Sequence, residues 1–209
     1  MWFYYWQFDV NSTYQTVNML PEHLHEVTRH MLRYLSGRED NLQILTTVAG
    51  QRRYFFSDIE MRHMFDVYKL FSIGYMIRDT AFLLLIVTSA VFAATWRKSL
   101  LFLFNVWRKT AFLVFIILLI LIVFISINWH NAFVIFHEIL FNNDDWILNP
   151  NIDLLVNIVP YDFFITLSIH IGVYFIAGLM VMYATSAVAV RRFKKSDQKT
   201  KVHPGQTGQ

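Results

Sequence analysis

Between Phe112 and Trp129 the chain carries no charge, and 15 of the 18 positions are Leu, Ile, Val or Phe. Such a run has no polar side to turn toward water. On an insertion scale it is worth roughly −5 to −9 kcal/mol. Two further uncharged stretches flank it. Thr80–Trp96 is 17 residues long and is approached by the mostly apolar Phe71–Ile77; Phe163–Val190 is 28 residues long and is broken only by His170. A membrane helix takes about 20 apolar residues. The sequence therefore predicts a mainly α, polytopic helical membrane protein with transmembrane helices over 79–96, 110–129 and 163–190. Only 16% of residues are charged, against about a quarter in soluble domains. There is no cysteine, which removes disulfides, thiol nucleophiles, cysteine-based zinc sites and iron–sulfur clusters.

Charge sets the expected orientation. Arg97, Lys98, Arg108 and Lys109 lie in the 97–109 loop without an acid. The tail, 191–209, carries Arg191, Arg192, Lys194, Lys195, Lys199 and Lys201 against Asp197 alone. The 130–162 loop has Glu138, Asp144, Asp145, Asp153 and Asp162 and no Lys or Arg. The positive-inside rule places the basic pieces in the cytoplasm and the acidic loop outside a cell membrane, together with residues 1–78. The net charge of +3 is thus a topology signal, and no nucleic-acid partner is expected. A polar 78-residue segment outside calls for a leading membrane helix before it. Met1–Phe8, reading MWFYYWQF, resembles an interfacial aromatic belt at the outer end of such a helix.

The external part is expected to fold as a small α+β segment. Leu20, Leu24, Val27, Met31 and Leu35 form a helical stripe, and Gly37 stands where a stop belongs. Leu42, Ile44, Thr46 and Val48 alternate with Gln43, Leu45 and Thr47, and Ala49-Gly50-Gln51 turns the strand back into Arg53–Phe56. Ser57 and Glu60 have capping-box spacing for a helix running toward Leu70. Asn149-Pro150 reads as an N-cap followed by a first-turn proline, with Asp153 in the first turn and Pro160 as terminator. From Ser196 the polar tail is expected to be disordered.

Two histidines share the external side. His63 follows the Ser57 cap, and His137 sits in the second loop among Phe133, Phe136, Leu140 and Phe141. Glu60 and Asp66 lie one helical turn on either side of His63. A carboxylate beside an imidazole sets its tautomer and raises its basicity, which suits a general base. Either acid also has a structural reading: Glu60 as the cap, Asp66 as the partner of Lys69. His130 lies one heptad before His137. His23, His25 and His30 share a helix, but the first two point to different faces, so a metal site is not expected there. His170, inside a membrane helix, reads as a neutral, bonded side chain or an intramembrane functional group.

The stretch S-D-I-E-M-R-H-M-F-D-V-Y-K-L-F (Ser57–Phe71), followed by F-H-E-I-L-F-N-N-D-D-W-I-L-N-P-N-I-D-L-L-V-N-I-V-P-Y-D-F-F (Phe136–Phe164), resembles the lipoprotein intramolecular transacylases of Gram-positive bacteria. The resemblance runs from about Tyr5 to the end of the third membrane helix. It implies four membrane helices, one more than are present here, with both termini inside. It also implies a reaction on diacylglyceryl lipoproteins: the sn-2 acyl chain moves to the α-amino group of the lipidated N-terminal cysteine. By motif position the catalytic residues would be His63 and His137, with Glu60, Asp66, Asp145 and Asp153 as supporting residues and no cofactor or metal. The partners implied are lipoproteins and membrane lipids. Two other functions fit the residues alone: a membrane metallohydrolase built on the two histidines and nearby acids, and a non-catalytic subunit binding lipid or peptide in an external cleft.

Overall fold

The computed structural model describes the backbone of residues 1–95 and 100–202 and the side chains of residues 1–92 and 102–193. The basic residues Arg97 and Lys98 lie outside the described residues, as do the side chains of Trp96, Lys194, Lys195, Asp197, Lys199 and Lys201. In chain order the elements are α1 (Trp2–Val10), α2 (Thr13–Thr16), α3 (Pro21–Leu35), β1 (Leu45–Val48), β2 (Gln51–Tyr54), α4 (Asp58–Thr95), α5 (Leu100–Ile127), α6 (Trp129–Leu140), α7 (Leu155–Ile158) and α8 (Tyr161–Val202). They divide into two units, residues 1–81 with 133–168, and residues 82–132 with 169–209.

In the first unit the stripe of α3 buries Leu24, Val27, Met31 and Leu35. Leu20 falls outside the stripe. It is the N-cap and stays exposed, because Pro21 has no N–H to lose and takes the first helical position. Gly37, at φ +71°, closes the helix in the left-handed region, and Arg38 N–H donates to the Arg33 carbonyl at 2.8 Å.

The β1–β2 hairpin pairs Leu45 with Tyr54 and Val48 with Gln51. Ala49 and Gly50 both have positive φ, 51° and 75°, as a two-residue type I′ turn requires. The second strand is therefore Gln51–Tyr54 and not Arg53–Phe56. Phe55 and Phe56 lie past its end and drop into the core. That core joins distant pieces of chain: Phe8 of α1, the α3 stripe, Phe55, Phe56, Met64 of α4, and Leu155 and Ile158 of α7. The N-terminal aromatics are thus more than a belt. Phe8 is fully buried and Tyr4 packs against Phe163 at 5.0 Å between rings, while Trp2 stays exposed.

The Ser57–Glu60 cap opens α4 as the spacing predicts. The helix does not stop near Leu70 but continues unbroken for 38 residues. No proline intervenes, and the single Gly74 costs only about 1 kcal/mol. Such a helix is about 57 Å long, well beyond the roughly 30 Å hydrocarbon core of a bilayer.

The second half of the acidic loop differs from expectation. Asn149 does not cap a helix; its carbonyl accepts from Ile152 and Asp153 N–H in a turn. Helix α7 begins only at Leu155, so Asp153 precedes it. The reason is that the Asp153 carboxylate is held elsewhere, by Ser57 Oγ at 3.0 Å and Asn149 N–H at 2.8 Å. Pro160 does separate α7 from α8.

Among the described residues, three helices are long and apolar enough to cross a membrane: Asp58–Phe92, Phe102–Ile127 and Tyr161–Phe193, with mean hydropathy 1.7, 3.3 and 2.0. In the second unit Leu83, Ile120, Phe124 and Val181 all stand exposed, an apolar surface of the kind a membrane covers. The α8 backbone remains helical past Val190 to Val202, including the start of the tail expected to be disordered; residues 203–209 lie outside the described residues.

Candidate active site

Helix α6 is the element the sequence reading missed. Asn128 breaks the chain after α5, and its Oδ1 accepts from Asn131 N–H at 3.0 Å as an N-cap. A 12-residue helix follows and carries His137 in its last turn. An Asn between an apolar run and an aromatic-rich segment was the available signal. The heptad partner His130 is exposed on the same helix and is not part of the pair.

Within the first unit, α4 brings His63 and α6 brings His137 to a ring-centroid distance of 6.0 Å. Both are buried, at 9% and 8% exposure, which matters because histidine at a surface has little reason to be dry. An aromatic shell lines them. Phe141 packs edge-on to His63 at 5.2 Å. Phe133 lies 4.1 Å and Trp146 4.9 Å from His137, the indole stacked on the imidazole.

The protonation of His137 follows from its partner. Nδ1 lies 2.7 Å from the Phe133 carbonyl. A carbonyl only accepts, so Nδ1 carries the hydrogen and the Nε2 lone pair is free. Burial lowers the pKa of His137, opposed by that bond to Phe133. The ring is therefore neutral at pH 7. His63 Nδ1 is buried with no hydrogen-bond partner. Two cationic rings 6.0 Å apart in such surroundings would repel.

The carboxylates follow the structural reading of their spacing and add tertiary bonds to it. Neither Glu60 nor Asp66 hydrogen-bonds to His63. Glu60 is 1% exposed and accepts from Ser57 N–H at 2.6 Å and from Leu155 N–H at 2.5 Å. It caps α4 and ties α7 to it. Asp66 takes Lys69 at 2.9 Å and Asn143 Nδ2 at 2.8 Å. Asp145 accepts a two-pronged bond from Arg62, at 2.9 and 3.1 Å. Asp153 bridges Ser57 and Asn149. All four acids thus fasten the 142–155 segment to the first turns of α4, and that segment carries Trp146 onto His137.

Arg62 was not singled out from the sequence; one arginine next to a histidine gives no signal until its partner is known. Arg62 lies on the surface, so loss of its pair with Asp145 should change stability little. Arg62→Gln is nevertheless expected to slow turnover about tenfold, because loosening Trp146 by about an ångström misplaces the His137 ring. Comparing thermal stability with initial rate for the same variant checks both halves.

Among the described residues no three His, Asp or Glu side chains converge as a metal site would require. His25 is bonded to the Tyr14 hydroxyl at 2.8 Å and stacks on Tyr5; His30 faces the Asn41 carbonyl.

These features define an integral membrane protein with a buried pair of imidazoles in an aromatic shell. The model of the lipoprotein intramolecular transacylase family Lit matches residues 1–164, and the chain belongs to that family; it is an acyltransferase. No match emerges among curated proteins. The fold is similar to a solved structure of the membrane integral lipoprotein intramolecular transacylase Lit from Bacillus cereus. The two share 22% identity over 93% of this chain and 85% of that one, with a TM-score of 0.69. Two structures of the Bacillus cereus protein with a single histidine replaced, by alanine or by arginine, are similar at TM-score 0.67 and 22% identity. They cover 93% and 94% of this chain, and 83% and 82% of those chains.

Proposed function

We propose that the chain transfers the sn-2 acyl chain of a diacylglyceryl lipoprotein to the α-amino group of its N-terminal cysteine, using His137 to carry the proton and His63 as hydrogen-bond donor to the oxyanion. The observation that carries this reading is the buried His63–His137 pair with the Nε2 lone pair of His137 left free. The nucleophile, an α-amine with an ordinary pKa of about 7.7–8.0, must react as the free amine. As it attacks the ester carbonyl, Nε2 of His137 takes a proton from nitrogen. A neutral His63 N–H hydrogen-bonds to the developing oxyanion, and His137 passes the proton it took from nitrogen to the leaving glyceryl oxygen. The C–N amide bond forms, the ester C–O bond breaks, and the proton lost by nitrogen ends on the glyceryl oxygen. Nucleophile and ester are on one molecule, so little entropy is lost in bringing them together. The aromatic shell keeps water, the competing nucleophile, away from the ester.

The charge pattern supports an outward-facing site: the loop that supplies His137 is acidic, whereas the segments expected inside are basic. The substrate's acyl chains and ester would lie in the membrane near the same level. The test is mass spectrometry of the N-terminal lipopeptide of a model lipoprotein, in a host lacking its own N-acylation enzyme. Acyl mass shifted from glyceryl to nitrogen at constant total lipid supports the reading; hydrolysed fatty acid with a free amine would point to a hydrolase.

A pH dependence follows from His137. Its folded pKa lies below the ordinary 6.5. Below pH 6.5 the unfolded chain takes up a proton that the folded chain refuses, so stability is complete above that value and falls as pH drops through the lowered pKa. Melting temperature in detergent should decline from pH 7 to pH 5, and His137→Gln should flatten the decline.

A further inference from the structure

The second unit has a feature that acyl transfer does not use. An apolar groove of about 750 Å³ runs between α5 and α8. On α8 it follows one helical face, from Ala184 through Val188 to Phe193, about 14 Å along the axis. The small side chains of Ala184 and Ala189 leave its floor open. Phe104 of α5 closes one side against Phe193, the rings 6.1 Å apart. Thr185 also lines it, but its hydroxyl is bonded back to the Val181 carbonyl at 2.8 Å. The remaining lining side chain is Arg192, exposed and without a bonded partner among the described residues.

Charge identifies the occupant. The described side chains of this unit include Arg108, Lys109, Arg191 and Arg192 and no carboxylate. Arg192 stands at the end of the groove where the apolar span of α8 ends, at Phe193. A free anion would be served by the arginine alone and would have no use for the groove. The geometry points to a binding site for an anionic phospholipid, with one acyl chain along Ala184–Val188 and the phosphate on Arg192. A guanidinium suits this task because it presents paired donors to phosphate oxygens. The site is remote in sequence from both histidines and makes no demand on the acyl-transfer reading.

The experiment is native mass spectrometry of the full chain in detergent, with phosphatidylglycerol and phosphatidylcholine added in equal amounts. Phosphatidylglycerol should be retained in preference. Arg192→Gln should cut that preference roughly fivefold, the effect of one basic residue at a membrane surface. Arg192→Lys should keep most of it, which separates loss of charge from misfolding. Val188→Trp, which fills the groove and spares every cation, should also displace the lipid. Arg191→Gln, one position away and outside the groove lining, should not. Equal retention of the two lipids, or an equal loss in Arg191→Gln and Arg192→Gln, would overturn the proposal in favour of a diffuse basic surface.

Discussion

His137→Ala is expected to lower the rate of acyl transfer by about 10³–10⁴-fold, near the upper end of what general acid–base catalysis supplies. The imidazole is positioned by a 2.7 Å bond to the Phe133 carbonyl and by the stacked indole of Trp146, and alanine removes both the lone pair and the surface that Trp146 packs on. His63→Ala should cost about 10²–10³-fold, the worth of one donor to the oxyanion. The double variant should be scarcely worse than His137→Ala alone, because groups that act as a unit are not additive. His137→Gln offers the sharper control: an amide fills the site and still bonds the carbonyl but cannot take a proton. Rates of N-acyl lipopeptide formation, at equal amounts of inserted protein, give the numbers for all four variants. A His63→Ala enzyme within tenfold of wild type would leave His137 working without a partner and end the two-histidine reading.

The membrane helices were legible because uninterrupted apolar runs allow few folds, and the α3 stripe and the capping box because their periodicities are local. The pair itself was half legible: charge put both histidines on one side, but their 6.0 Å approach depends on α6, hidden behind the single residue Asn128. Of the two readings open for the acids, the structure shows the structural one, for a physical reason. Spacing by three places Glu60 and Asp66 on the face of His63, yet a side chain on a helix face bonds to whatever packs there. Here that is the segment from Asn143 to Leu155, tens of residues away in sequence. The turn at Asn149 failed likewise, since its local capping signal lost to a tertiary bond between Asp153 and Ser57.

Glu60→Ala is expected to destabilise the protein by about 2–4 kcal/mol. Loss of the capping-box carboxylate costs about 0.5–2 kcal/mol. The buried Leu155 N–H, left without an acceptor, adds about 1–3 kcal/mol. The change cannot relax easily, because Glu60 is 1% and Leu155 3% exposed. Glu60→Gln should recover only part of the loss. The two carboxylate oxygens serve different donors, Ser57 N–H on Oε2 and Leu155 N–H on Oε1, and an amide has one oxygen, so one N–H must face an NH2 group. Glu60→Asp should not restore it either, since the shorter side chain cannot reach from α4 to the Leu155 N–H of α7. Thermal unfolding in detergent should show a fall of roughly 5–15 °C for alanine and a smaller fall for glutamine. Activity measured well below the new transition should drop less than in the histidine variants, because the loop is loosened while both imidazoles remain. An alanine variant with wild-type melting but histidine-like loss of activity would move Glu60 from the scaffold into the chemistry.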